Sequence, residues 1–110
     1  MEAQRERRLF VQCPVVFLGH QGVGEGRLFN LSMSGCAIES GTPVERGTVL
    51  TLRLNLPHLP QPIAVDQAKV TWTAGDDFGV QFLGLGTRDE VHLSQLIAGL
   101  QHDTHVIEAA

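Results

Sequence analysis

Leu50-Thr51-Leu52-Arg53-Leu54-Asn55-Leu56 carries the cleanest pattern in the chain, four leucines at even positions with Thr51, Arg53 and Asn55 between them. Side chains of an extended strand alternate between two faces, so this spacing predicts a strand with one apolar face buried and the other in water. Downstream, a proline-rich loop (PHLPQP) leads into a long strand over residues 63–73. Its inward set passes from Ile63 and Val65 to Ala68, Val70 and Trp72, a change of parity that predicts a bulge at Asp66 and Gln67. Gly75-Asp76 reads as a turn, and Phe78, Val80 and Phe82 mark one more strand.

Upstream the same period recurs. Residues 41–47 form a loop, and Cys36 and Ile38 face inward from a strand over 35–39. Residues 30–35 read as a turn, residues 27–31 as a short strand, and residues 19–26 as a glycine-rich turn. Odd positions from 9 to 17 hold Leu, Val, Cys, Val and Phe, a first strand whose Pro14 lies on the opposite parity, as at an edge or bulge. Only the C-terminal part has helical spacing: Leu93, Leu96, Ile97 and Leu100 share one face, and Thr87 with Glu90 matches a capping box. Six short strands and one amphipathic helix predict an all-β domain, a six-stranded antiparallel β-barrel of the split-barrel type with one C-terminal helix. The expected boundaries are an arginine-bearing flexible arm over 1–8, the barrel and helix over 9–102, and a frayed tail over 103–110.

At 110 residues the chain has room for one core. No apolar run approaches the roughly 20 residues needed to span a bilayer, and MEAQRERR lacks the apolar segment of a secretion signal, so the expected setting is cytoplasmic, without membrane insertion. Cys13 and Cys36 lie in alternating apolar stretches and read as small buried hydrophobes. The net charge of −4 excludes broad binding to DNA or RNA, which needs many cations against phosphates. Yet three of the eight basic residues, Arg5, Arg7 and Arg8, fall within four positions and can serve one small anion.

Catalysis has thin support. His20 and His58 fall in loops, His92 on the helix, and His102 and His105 near the tail, none sharing a tight spacing with a nucleophile and a carboxylate. There is no phosphate-binding Gly-x-x-x-x-Gly-Lys loop, no G-x-S-x-G elbow and no convincing metal set, so a non-enzymatic domain without a cofactor is expected. Two polar segments remain. In Asn30-Leu31-Ser32-Met33-Ser34-Gly35, a strand would turn Asn30 and Ser32 to one side and Leu31 to the interior, with Gly35 permitting close approach; an ordinary polar turn is the plainer reading. In Arg5-Glu6-Arg7-Arg8, guanidinium groups can grip phosphate or fork onto a guanine edge; a solvated charged terminus is the plainer reading.

An arginine segment just before the first strand, followed by Asn30-x-Ser32-x-x-Gly35 at the second-to-third strand junction, resembles the PilZ domain family. The resemblance continues through Val70-Thr71-Trp72 and Phe78-Gly79-Val80-Gln81-Phe82-Leu83 and covers residues 5–100. It implies a bacterial receptor for cyclic di-GMP, with the arginine arm wrapping guanine edges and phosphates, Asn30 and Ser32 bonding the other guanine, and Gly35 leaving room for the base. Trp72 resembles an aromatic beside the ligand in some members, and is equally readable as a core or rim aromatic. One position departs from the family pattern: the first motif is Arg-x-x-x-Arg, and with Arg8 as its second arginine the first place holds Gln4. Arg5, three before Arg8, points the other way in an extended chain, and losing one forked guanine contact costs on the order of 1–3 kcal/mol. The resemblance therefore leaves two expectations: a cyclic di-GMP receptor, monomeric or weakly dimeric, acting through a downstream protein partner, or a PilZ-like adaptor of motility or pilus systems that docks a protein without nucleotide.

Overall fold

Alternation closes the sheet on itself. The computed structural model describes residues 9–20, 22–56, 59, 61–103 and 107–108, with side chains through residue 98. Six strands are antiparallel neighbours: β1 (Val11–Gly19), β2 (Gly22–Leu31), β3 (Gly35–Glu39), β4 (Val49–Leu54), β5 (Ile63–Ala74) and β6 (Asp77–Leu85). Around the ring they run β1, β2, β3, β6, β5, β4 and back to β1, so each strand is paired on both sides and the sheet has no long open edge. Helix α1 (Thr87–Asp103) follows β6 and packs against β5.

The inward set is the one the alternation names. Leu50, Leu52, Leu54 and Leu56 are all buried, facing Val11, Cys13, Val15 and Phe17 of β1 and Ile63, Val65, Ala68 and Val70 of β5. Thr51, Arg53 and Asn55 are exposed. Each fully buried leucine contributes roughly 1.5–3 kcal/mol of transfer free energy. Phe17 and Phe78 meet edge to face across the barrel, ring centroids 5.4 Å apart, and Leu93 and Ile97 of α1 join the same core. The bulge expected at Asp66 and Gln67 is present: the β5 register slips there against both β4 and β6.

Residues 19–26 are not a long turn; the hairpin is tight and β2 begins at Gly22, which takes the positive φ of 125°. The glycines that look like turn residues are packing residues: a methyl on Gly24 would strike the Phe17 ring, and one on Gly26 would strike the Glu39 carbonyl. Pro14 makes no bulge. It lies one place beyond the β1–β4 ladder, where its carbonyl accepts from the Asn55 N–H (3.1 Å) and proline has no N–H to return the bond, so the ladder ends there. Helix α1 starts one residue earlier than a Thr87 cap implies: the Glu90 N–H donates to the Gly86 carbonyl (2.8 Å), which makes Gly86 the cap. Asp89 and Glu90 supply acidic charge to the first turn. Of the tail, Ile107–Glu108 (β7) pairs in parallel with Val11 and Gln12; the remaining residues beyond 103, and the arm over 1–8, lie outside the described residues.

Burial sets the chemistry of both cysteines. Cys13 is pushed from 9.0 up to about 11, chiefly by desolvation and slightly offset by Arg27; Cys36 is raised further by desolvation and by the Cys13 thiol. An unfolded thiol ionises near pH 9 while the folded one stays protonated, so the stabilisation is full below pH 9 and lost as pH rises toward 11. Urea midpoints should fall across that interval by the equivalent of roughly 3 kcal/mol for Cys13 alone, and Cys13→Ala should flatten the dependence. An unchanged slope in that variant would contradict the assignment.

Candidate functional site

The strand register lines up Asn30, Ala37, Gly79 and Trp72 in one row across β2, β3, β6 and β5. Both ends of that row owe their direction to a bulge. On β2, Leu28 pairs with Ile38 and Asn30 with Ala37, leaving Phe29 as an extra residue. On β5, Val70 pairs with Val80 and Trp72 with Gly79, leaving Thr71 extra. Without these insertions, Asn30 would share the inward parity of Leu28, and Trp72 that of Val70. The sequence reading had Trp72 inward; the Thr71 bulge turns it out, and it is 43% exposed.

Between the two ends the floor is low. Ala37 is small, and Gly79 has no side chain because the Trp72 indole lies against it: a methyl there would overlap the ring. The Thr71 hydroxyl donates to the Gly79 carbonyl (3.4 Å), tying the bulge to β6. The result is a pocket of ≈ 460 Å³ lined by Phe29 and Asn30 on one wall, Thr71 and Trp72 on the other, and Gly35, Ala37 and Gln81 between. Among the described residues its lining has aromatic faces, amides and hydroxyls, but no carboxylate, imidazole or amine. Cys36 borders it, with a thiol that burial keeps protonated. No group of three or more potential metal ligands occurs among the described residues. A smaller cleft of ≈ 130 Å³, between the β1–β2 hairpin and residues 42–45, includes His20 but none of the residues that the sequence marks as ligand-binding candidates.

The residues of the Asn30-x-Ser32-x-x-Gly35 segment part company here. Asn30 and Gly35 line the pocket. Ser32 does not. It is fully buried, its hydroxyl donating to the Gly35 carbonyl and accepting from the Ser34 N–H, both at 3.3 Å, and its own N–H donates to the Gly35 carbonyl at 2.9 Å. Ser32 therefore builds the turn that carries β2 into β3. Gly35 has a packing reason of its own, since any Cβ would collide with the Val80 carbonyl oxygen. Gln4, Arg5, Arg7 and Arg8 lie outside the described residues. Leu9, the first residue described, exchanges two 2.9 Å hydrogen bonds with Leu31, next to Asn30. Sequence reasoning missed Phe29, Thr71, Gly79 and Gln81; the one available signal was Gly79, a glycine within an alternating strand, which marks close approach of another group.

The sequence profile of one family, the PilZ domain, matches residues 2–99. No curated protein matches. Among solved structures, the chain is similar to the Bacillus subtilis inhibitor of motility MotI/DgrA (TM-score 0.77, 16% identity, 94% of this chain and 53% of that one). It is similar to Escherichia coli YcgR in complex with c-di-GMP (TM-score 0.74, 16% identity, 91% and 46%) and to the PilZ domain of CeSA from a cellulose-synthesizing bacterium (TM-score 0.66, 19% identity, 87% and 99%). The chain thus spans about half the length of the first and nearly all of the isolated CeSA domain.

Two substitutions test the structural reading of the motif. Gly35→Ala should destabilise the ligand-free protein by about 1–3 kcal/mol, because the collision is with backbone that cannot swing away. Ser32→Ala should cost about 1–2 kcal/mol by leaving the buried turn without its hydroxyl. Wild-type urea midpoints for both variants would show that these residues matter only when ligand is bound.

Proposed function

The chain belongs to the PilZ domain family, and on that premise we propose that it is a non-enzymatic bacterial receptor for cyclic di-GMP, bound over the Asn30–Trp72 row. The observation that carries the proposal is the pairing of an outward asparagine and an outward indole across a floor of Ala37 and Gly79. A purine can lie on the indole face while its edge meets amide groups, and such stacking contributes about 1–3 kcal/mol per base. YcgR, whose fold is similar, is a c-di-GMP complex in its solved form.

The arm completes the site. Leu9 is bonded to Leu31 beside Asn30, and Gln4, Arg5, Arg7 and Arg8 directly precede Leu9 in sequence, which supports a role for them at this pocket. Arg8, nearest that anchor, forks onto a guanine edge or a phosphate. Gln4 offers a base hydrogen bond but no charge, leaving phosphate neutralisation to Arg5 and Arg7. Within this reading Ser32 is a positioning residue: it holds the turn, while Asn30 and the backbone at Gly35 face the ligand. Binding orders the arm and alters the surface presented to a downstream protein; no covalent bond changes. The domain acts in the cytoplasm, as a monomer or weak dimer.

Calorimetry with pure cyclic di-GMP, run alongside Trp72 fluorescence, tests this. The indole emission should change on binding, and Arg8→Ala and Trp72→Ala should each weaken affinity roughly tenfold to a hundredfold. No heat and no emission change at micromolar protein would favour the adaptor reading, in which the replaced first arginine marks a barrel that docks a protein without nucleotide.

A further inference from the structure

We infer that Lys69, the chain's only lysine, is a phosphate-binding residue of this site, and that the ligand lies with its phosphates toward Lys69 and its base toward Trp72. The inference rests on the nucleotide reading above.

The outer face of β2, β3, β6 and β5 is built of parallel rows, and their charges differ. On one side of the Asn30–Ala37–Gly79–Trp72 row lies the row Arg27, Glu39, Asp77 and Ala74, with Asp76 in the adjoining turn. Its two β3 and β6 positions, those next to the Ala37–Gly79 floor, are both carboxylates. On the other side lies the row Gly35, Gln81 and Lys69. Rows on one face are about 7 Å apart, and strands within a row about 4.8 Å, so both flanking rows are within reach of any nucleotide seated on the floor.

A dinucleotide carrying phosphates cannot be indifferent to this arrangement. Phosphate over Glu39 and Asp77 would face like charge, and phosphate over the opposite row would face an ammonium. Along that row Gly35 has no side chain, and Gln81 lines the pocket as a neutral hydrogen-bonding group. Lys69 is exposed, and its register partners Gln81 and Val49 are uncharged, so no cross-strand carboxylate competes for it. Of the other described cations, Arg27 stands on the Glu39 row beside two carboxylates, Arg46 precedes Gly47, whose N–H bonds the Val70 carbonyl, Arg53 lies opposite Val16 and Ala64, and Arg88 lies on α1, bonded to Gln61. A flexible four-carbon stem lets one ammonium serve a phosphate as a point charge without a fork geometry. Lys69 thereby supplies from the barrel part of the charge that Gln4 withholds from the arm.

The test is a titration of the full chain with cyclic di-GMP at several salt concentrations. Lys69→Ala should lower affinity about fivefold to tenfold and make its salt dependence shallower, Lys69→Glu should lower it further, and Lys69→Arg should restore most of it. Arg53→Ala, which removes the same charge from a different face, should leave affinity within about twofold. Lys69 is exposed, so unchanged melting temperatures verify that the variants fold. If the wild type binds and Lys69→Ala matches it in affinity and salt slope, or if Arg53→Ala loses as much, the assignment of Lys69 is overturned while the receptor reading stands. If the wild type does not bind, both fall together.

Discussion

Two inserted residues, Phe29 on β2 and Thr71 on β5, control what this barrel can do. A closed six-stranded barrel has a strict division of labour, one parity filling the core and the other meeting solvent, and this one fills its core almost without exception. An unbroken alternation would send Asn30 and Trp72 inward beside Leu28 and Val70. Each bulge switches parity at the same row, so an amide and an indole emerge together on the outer surface, with Leu31 returned to the core on one strand. The small floor follows from the same event: an indole turned outward needs somewhere to lie, and Gly79 is where it lies.

In the turn from β2 to β3 the Asn30-x-Ser32-x-x-Gly35 segment serves the fold before any ligand. Ser32 spends its hydroxyl on the chain around it, and Gly35 is dictated by the Val80 carbonyl, so two of the three defined positions of Asn30-x-Ser32-x-x-Gly35 are required before any ligand arrives. That requirement fixes the site's rigidity. Asn30 projects from a strand end clamped on one side by this turn and on the other by the Leu9–Leu31 bridge, so little conformational entropy remains to be lost there on binding.

Most of the barrel was legible because its alternation is plain: the leucines of β4, the odd positions of β1 and the parity slip at Asp66 and Gln67 translate directly into burial and register. The failures share a cause. Gly22, Gly24 and Gly26 look like turn residues because composition cannot distinguish a glycine needed for a positive φ from one needed to admit the Phe17 ring. Trp72 reads as inward because, unlike the slip at Asp66, an insertion of Thr71 between Val70 and Trp72 leaves an apolar pattern that still looks continuous. Ser32 reads as a companion of Asn30 because spacing alone puts residues two apart on one side, whereas the strand ends at Leu31 and the next residues curl. Asn30, Gly35 and Trp72, which line one pocket, are readable from the sequence as candidates; which of their atoms face outward is decided by bulges and turns that depend on the opposing strand.

In the proposed complex the nucleotide sits on the row from Asn30 to Trp72. Amide chemical-shift mapping of the isotopically labelled protein with cyclic di-GMP tests it most directly. The largest shifts should fall on Asn30, Gly35, Gly79, Gln81 and the Trp72 indole N–H, with the β1–β2 hairpin unaffected. Saturating ligand that shifts instead the cleft around His20, Thr42 and Glu45, or leaves the Trp72 indole unmoved, would contradict it.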